Sequence, residues 1–278
     1  IAAYLEGIQD GFRFLEAVKR AAQTKPVVVW KAGLTPLGNR AAQSHTGSLA
    51  GGKAIWEGVL AQAGAASVNG LDEAMDALTA AYYLKKPGPR IAVVGGGGAI
   101  GGFSCDLASQ WGLDLPRFSN TTRGTLRQHF PTPGNSMANP LDTGSPVVPV
   151  ETMQASIKEI ALNEPIDVVV VILLLRPLEL EVRRFMEMAG MGAPPPGAYL
   201  EQLLGVLTEI KKESGKDIAV VMENRAGRQE ELDVEKTHRR MRDNYQAQGF
   251  PVFHNAERAL RGISHAAART RFLKRSVE

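Results

Sequence analysis

The stretch IDVVVVILLL, residues 166–175, constrains the fold more than any other part of the chain. After Asp167 it is apolar at every position from 168 to 175, and five of those residues are β-branched. A half-exposed strand alternates polar with apolar residues. An unbroken run of this length is instead the mark of a strand buried on both faces, inside a parallel sheet. It is less than half of the roughly 20 residues that a membrane-spanning helix needs. Similar runs, KPVVVWKAG (25–33), RIAVVG (90–95) and DIAVVME (217–223), alternate with amphipathic stretches, so the chain reads as α/β.

Periodicity and punctuation give the order of elements. The first block predicts a strand over 1–8, a helix over 10–23, the strand KPVVVWKAG, a loop, a helix over 49–63, the short strand AASV, and a helix over 70–85. In KKPGPR, residues 85–90, Pro and Gly stop that helix and a new strand follows, which places a domain boundary there. Two domains are expected, 1–86 and 87–278. The second block predicts the strand RIAVVG, a glycine turn, a helix over 99–111, a weak extended stretch near LDLPRFS and a helix over 121–129. Beyond an irregular segment come a helix over 150–162, a strand over 167–175 and a Pro/Gly loop around GMGAPPPGAY. A helix over 198–213, the strand DIAVVME, a helix over 228–248, the strand PVFH and a closing helix over 255–270 complete it. Five strands suffice for a complete doubly wound domain. Three parallel strands in the first block make a poor independent sheet. The chain, which begins at Ile1, is therefore expected to start inside a longer protein. No charged and apolar leader opens it, so no secretory signal is expected.

The bulk numbers exclude rather than identify. Thirty-two Lys and Arg against 29 Asp and Glu give a net charge of +3, with the surplus gathered in RTRFLKR near the C-terminus. No interleaved basic and aromatic pattern accompanies it, so neither a nucleic-acid nor a membrane partner is expected. The single cysteine, Cys105, rules out an intrachain disulfide framework and fits a reducing compartment, so the cytoplasm is the expected location. Cys105 itself reads as a core residue of a helix.

The segment AAQSHTGSLAGG, residues 41–52, carries the candidate chemistry. A neutral imidazole has a nucleophilic nitrogen near pH 7 and can hold a phosphoryl group covalently. Around His45, the residues Ser44, Thr46, Gly47 and Ser48 have small side chains or none, so phosphate oxygens could approach backbone N–H groups there. A helix beginning near Ser48 would aim its first-turn N–H groups at the same place. The plainer reading is a surface histidine with Ser48 as the N-cap of that helix.

Five stretches together resemble a known family: YLEGI (4–8), KPVVVWKAG, SHTGSLAG (44–51), QAGAASVNGLDEAMDAL (62–78) and NPLDTG (139–144). They are similar to the α-subunit or N-terminal half of ADP-forming acyl-CoA synthetases. Acetate-CoA ligase (ADP-forming) is the best-known member, and succinyl-CoA synthetase is a more distant relative. The resemblance runs over residues 1 to about 272 and is most specific over 25–52. It implies two flavodoxin-like, succinyl-CoA synthetase-like doubly wound parallel-sheet domains, the first truncated at its N-terminus. Residues 1–86 would be the C-terminal part of the phosphohistidine-bearing ligase domain, and 87–278 the second, ligase-associated one. It implies an acid-thiol ligase that interconverts acyl-CoA, ADP and phosphate with carboxylic acid, CoA and ATP. In such a ligase His45 is the phosphorylated catalytic residue and Glu6 the acid that hydrogen-bonds its ring. CoA, ATP/ADP, phosphate and Mg²⁺ are the implied cofactors. They would be bound mostly by an upstream CoA-binding Rossmann domain and by an ATP-grasp β-subunit or fused domain, in an oligomeric assembly. Elementary chemistry agrees on Glu6: a carboxylate ending one parallel strand can reach the loop after the next. The alternative is an acyltransferase-like, regulatory or assembly relative on the same scaffold that transfers no phosphoryl group.

Other motifs weigh less. VVGGGGAIGG contains G-x-G-x-x-G at Gly96, Gly98 and Gly101 between a strand and a helix, the pattern of a dinucleotide fingerprint. The acid expected some 20 residues on is missing, because Asp114 comes too early. A tight turn packing helix on strand is the preferred reading of residues 95–102. In NPLDTG a structural role for Asn139 and Asp142 is preferred. His129, His238, His254 and His265 show no ligand spacing, so no metal site is expected.

Overall fold

A computed structural model of the protein describes residues 1–40, 52–130, 135–190, 192, 194–224 and 228–275. Its contacts divide into two compact units, Ile1–Tyr82 with Arg261–Glu278, and Tyr83–Leu260.

The first unit is built on a three-stranded parallel sheet in the order β1-β2-β3, where β1 is Ala2–Leu5, β2 Val28–Lys31 and β3 Ala66–Val68. Leu5 is in register with Lys31, so β1 and β2 end level at their carboxyl edge. Helices α1 (Gly11–Thr24) and α2 (Lys53–Gln62) pack through Val18, Ala22, Trp56 and Leu60 onto Val27 and Val29. Helix α3 (Leu71–Tyr83) sets Ala77 against Val28 and Val68. Asp10 caps α1 by accepting from the Arg13 N–H at 3.0 Å, satisfying one of the orphan donors of the first turn. The last part of the closing helix belongs to this unit. There His265 pairs with Glu73 at 2.9 Å, and Arg261 pairs with the buried Asp76.

The second unit has five parallel strands in the order β5-β4-β6-β7-β8, the 2-1-3-4-5 winding of flavodoxin-like folds. They are β4 Ile91–Gly95, β5 Leu141–Asp142, β6 Val168–Leu174, β7 Asp217–Glu223 and β8 Val252–Phe253. β6 lies in the middle, its residues Val168–Leu173 all buried, as its unbroken apolar run requires. Helices α4 (Gly98–Gln110), α5 (Asn120–His129), α6 (Val150–Asn163), α7 (Leu175–Met188), α8 (Ala198–Ser214) and α9 (Leu232–Ala247) intervene, and α10 (Ala256–Arg275) closes the chain. Ser119 caps α5 by accepting from Thr122 N–H at 3.2 Å, and Gly215, at φ 65°, ends α8 in the left-handed conformation that glycine adopts at least cost.

The parallel α/β class matches the sequence reading, but the extended stretch expected near LDLPRFS forms only an isolated bridge between Arg90 and Asp114, the strand next to β4 being Leu141–Asp142 in the segment read as irregular; residues 36–40, read as loop, are helical, and several boundaries move. Helix α7 is new. It starts with Leu175-Arg176-Pro177, where proline is tolerated because first-turn N–H groups need no intrahelical partner. The expected strand 1–8 is confined to Ala2–Leu5. Helix α2 spans Lys53–Gln62 with Gly52 as its N-cap and no capping side chain; the expected start at residue 49 and the expected cap Ser48 lie outside the described residues. Cys105 is exposed, not core, because Ser104, Leu107 and Ala108 form the inward face of α4.

Candidate functional site

The carboxyl edge of the first sheet is the natural place for a ligand in an open parallel sheet. Glu6 follows the last residue of β1, and its carboxylate accepts a hydrogen bond from the Tyr4 hydroxyl at 3.3 Å. The Tyr4 ring rests edge-on against Trp30, with centroids 5.0 Å apart. Lys31 ends β2 and is 4% exposed. Its ammonium donates to the Glu6 backbone carbonyl at 2.7 Å and to the Ala32 carbonyl, and lies 5.5 Å from the centre of the Trp56 ring. A buried cation is tolerated only where polar atoms replace its water, and these two carbonyls do so. Burial pulls the Lys31 pKa below its ordinary value, and the nearby Glu6 carboxylate pulls the other way. Lys31 thus fastens together the two strand ends from which Glu6 and the loop after β2 depart.

Beside Lys31 opens a cavity of about 410 Å³, lined otherwise by Ile8, Gly11, Phe12, Leu15, Ile55, Trp56 and Val59. Lys31 is its one charged lining residue among the described residues. Phe12 and Ile55 stand at 86% and 67% exposure. Sequence reasoning named Glu6 but neither Lys31 nor Tyr4. The available signal was a lysine closing the otherwise apolar strand VVWK.

His45 and its neighbours Ser44, Thr46, Gly47 and Ser48 lie outside the described residues. In the chain they fall between β2 and α2.

The glycine turn of the second unit is occupied from within. Asp142, at the end of β5, accepts from the Gly97 N–H at 2.9 Å and the Gly144 N–H at 2.8 Å. Gly97 is the N-cap of α4 with φ 102°, and a Cβ on Gly96 would come within 2.6 Å of the Ser145 carbonyl. A carboxylate therefore already sits at the helix start where a dinucleotide pyrophosphate would have to bind. Asn139 is structural too. Its amide donates to the Ile91 carbonyl at 2.7 Å and the Pro116 carbonyl at 3.1 Å, and its oxygen accepts from Val93 N–H at 3.0 Å.

A cavity of about 770 Å³ lies past the ends of β6 and β7, lined by Ile100, Phe103, Leu174, Arg176, Glu223 and Asn255 among others. Arg176 is ion-paired with Glu231. The fold also assembles His238, His254 and Glu235: the two rings lie 5.6 Å apart, and the Glu235 carboxylate is 3.9 Å from His238 Nδ1. No group of three His, Cys, Asp or Glu among the described residues is arranged to hold a metal ion, and no described helix is long and apolar enough to cross a membrane.

Comparison with known proteins follows the same lines. Residues 1–81 match the family model described as succinyl-CoA ligase like flavodoxin domain. The chain is 39% identical over 142 residues to the acetate–CoA ligase [ADP-forming] II subunit alpha of Pyrococcus furiosus, a match covering 51% of this chain and 31% of that one. It is 32% identical over 173 residues to acetate–CoA ligase [ADP-forming] I of Archaeoglobus fulgidus, covering 62% of this chain and 25% of the relative. Among solved structures, the dinucleotide forming acetyl-coenzyme A synthetase 1 of Ca. Korarchaeum cryptofilum, in complex with phosphate and ADP, superposes with a TM-score of 0.76 at 25% identity. That likeness covers 100% of this chain and 55% of the solved one. The matches thus take in less than a third of each of these curated relatives. Residues 1–81 are thus similar to the succinyl-CoA ligase like flavodoxin domain, and the whole chain is similar in fold to the acetyl-coenzyme A synthetase of Ca. Korarchaeum cryptofilum.

Proposed function

We propose that this chain is the phosphohistidine-bearing part of an ADP-forming acyl-CoA synthetase. The observation that carries the reading is the carboxyl edge of the first sheet. Glu6 leaves β1 there, level with the end of β2, and the SHTG segment follows β2 in the chain. In the proposed sequence, phosphate displaces CoA from acyl-CoA to give an acyl phosphate. A ring nitrogen of His45 attacks its phosphorus, the bond from phosphorus to the acyl oxygen breaks, and the carboxylate departs. A terminal phosphate oxygen of ADP then takes the phosphoryl group, giving ATP and restoring neutral His45. Glu6 fixes the tautomer of the ring and offsets the positive charge that develops on it. Ser44, Thr46, Gly47 and Ser48 give phosphate oxygens room and N–H donors. Residues 1–86 would form the histidine-bearing ligase domain and 87–278 the associated domain. CoA binds an upstream Rossmann domain. ADP and the Mg²⁺ that shields its phosphates bind an ATP-grasp partner, the assembly being an oligomer in the cytoplasm.

The test is a phosphorylation assay. The protein and its ATP-grasp partner are incubated with γ-labelled ATP and Mg²⁺. Acid-labile, base-stable label is expected on the wild type and absent from His45→Ala, and Glu6→Gln lowers its yield without altering the fold. A wild type that takes no label overturns the reading, and full labelling of Glu6→Gln removes Glu6 from it.

A further inference from the structure

We infer that Lys31 is a positioning residue, one that holds the Glu6 main chain and the two ends of the segment carrying His45 in a single arrangement. Three contacts made by one ammonium support it. It donates at 2.7 Å to the carbonyl of Glu6, the residue that follows β1. It donates to the carbonyl of Ala32, the first residue after β2. It also lies 5.5 Å from the centre of the Trp56 ring, in the first turn of α2. SHTG falls in the chain between Ala32 and Trp56, so Lys31 grips the chain before and after it as well as the strand end that bears Glu6. The Ala32 N–H donates in turn to the Leu5 carbonyl at 2.8 Å, and Gly33, at φ 75°, turns the chain in the left-handed conformation that glycine adopts at least cost.

Stability alone does not call for a lysine here. The side chain is 4% exposed, and a buried ammonium carries a desolvation cost that an apolar chain of similar length does not. An apolar residue would fill the space but leave the two carbonyls and the indole unlinked. Folds accept a local cost of this kind where the groups of a site must be held in place. Charge-assisted hydrogen bonds suit the task, being roughly twice as strong as neutral ones. The inference rests on the ligase reading proposed above: Glu6 orients the His45 ring only while its own backbone is fixed. A displacement of about 1 Å, even one caused far from the reacting atoms, costs on the order of 10²-fold in rate. In this role Lys31 acts through Glu6 and takes no part in the transfer itself.

The experiment measures the rate of acid-labile labelling of the full chain, with its ATP-grasp partner, γ-labelled ATP and Mg²⁺, in the wild type, Lys31→Met, Glu6→Gln and the double variant. Lys31→Met is expected to slow labelling by about tenfold or more, with the KM for ATP unchanged. In the double variant the loss should equal that of Glu6→Gln alone to within about twofold, because a residue that acts through Glu6 has nothing left to act on. A general loosening of the fold would instead multiply the two losses. Hydrogen exchange gives a second readout that needs no phosphorylation: the Ala32 amide should exchange faster in Lys31→Met, while the Val28 amide, bonded to the Ile1 carbonyl at the far end of the strand, is unchanged. Lys31→Gln, which keeps an N–H donor without the charge, should label at an intermediate rate and carries the same double-variant comparison if Lys31→Met does not fold. Labelling at the wild-type rate in the Lys31 variants, or losses that multiply in the double variant, overturns the inference and leaves the ligase reading standing. A wild type that takes no label sinks the ligase reading, and this inference with it.

Discussion

Replacing Asn139 by alanine should destabilise the second unit by about 2–5 kcal/mol, because one side chain completes the edge of β4. The partner strand on that edge, β5, has only two residues and pairs with Val94 and Gly95 alone. The preceding part of β4 would have bare ladder groups, and the Asn139 amide supplies them: it accepts from Val93 N–H at 3.0 Å and donates to the Ile91 carbonyl at 2.7 Å. Ile91 and Val93 are essentially without exposure. Asn139→Ala leaves two buried backbone groups without partners, each costing about 1–3 kcal/mol, and the third bond, to the Pro116 carbonyl, adds at the lower end. Asn139→Asp keeps the acceptor for Val93 but loses both donors and sets a charge against two carbonyl oxygens. It should be no more stable than the alanine variant. Urea unfolding followed through Trp111, which lies in this unit, gives the magnitude, and hydrogen exchange at the Val93 amide gives its location. A loss below about 0.5 kcal/mol, with Val93 protection unchanged, would refute the idea that a side chain stands in for a strand here.

Three further outcomes are expected. His238 is buried with neither ring nitrogen hydrogen-bonded among the described residues, and burial holds its pKa below the usual value; Glu235 opposes that, and His254, Arg242 and Arg239 add to it. The unfolded state therefore takes up a proton near pH 6.5 that the folded state refuses. Stability is lost as pH falls below about 6.5, and His238→Phe should flatten that loss in urea titrations at pH 5.5 and 8; parallel curves would refute it. Gly64 has φ 74° and a Cβ there would meet the Phe272 ring at 2.3 Å. Gly64→Ala should lower stability by about 1–3 kcal/mol by thermal unfolding, and an unchanged midpoint would mean that the Phe272 contact is dispensable. Cys105, exposed on α4 but with its thiol pKa raised, should titrate with a disulfide reagent in the native state and react faster at pH 9 than at pH 7. Silence until denaturation would contradict its placement.

What was legible in the sequence followed from patterns with a single physical solution. The valine run of β6 has no face that water could occupy, and it lies at the centre of its sheet. Glu6 was named through the resemblance carried by YLEGI, since a glutamate at a strand end reads by itself as solvated; the fold sets it directly after β1. Lys31 was harder: a lysine in a row of valines reads as a solvated strand end, and only the fold brings two carbonyls and an indole around it. Helix α7 went unread because Arg176 and Pro177 look like a loop, although proline in a first helical turn breaks no hydrogen bond. Cys105 was assigned inward because a free cysteine behaves as a small buried hydrophobe, whereas Ser104, Leu107 and Ala108 take the inward face of α4. The Gly95–Gly102 turn was ambiguous by pattern alone. It needed Asp142, more than 40 positions away in the chain, to be settled as self-contained.

The flanks of β6 have a consequence for the protein before it has folded. VVVVILL combines high β-propensity with no charge, and until β7 has been synthesised one of its edges has nothing to pair with; such a segment is prone to stacking with copies of itself. Pro165 and Asp167 stand just ahead of it, and Arg176 and Pro177 just behind. In the finished protein Asp167 holds Arg90, and Arg176 holds Glu231. On the ribosome, with neither pair yet made, the same two charges and two prolines act as gatekeepers that keep a nascent hydrophobic strand from joining its neighbours.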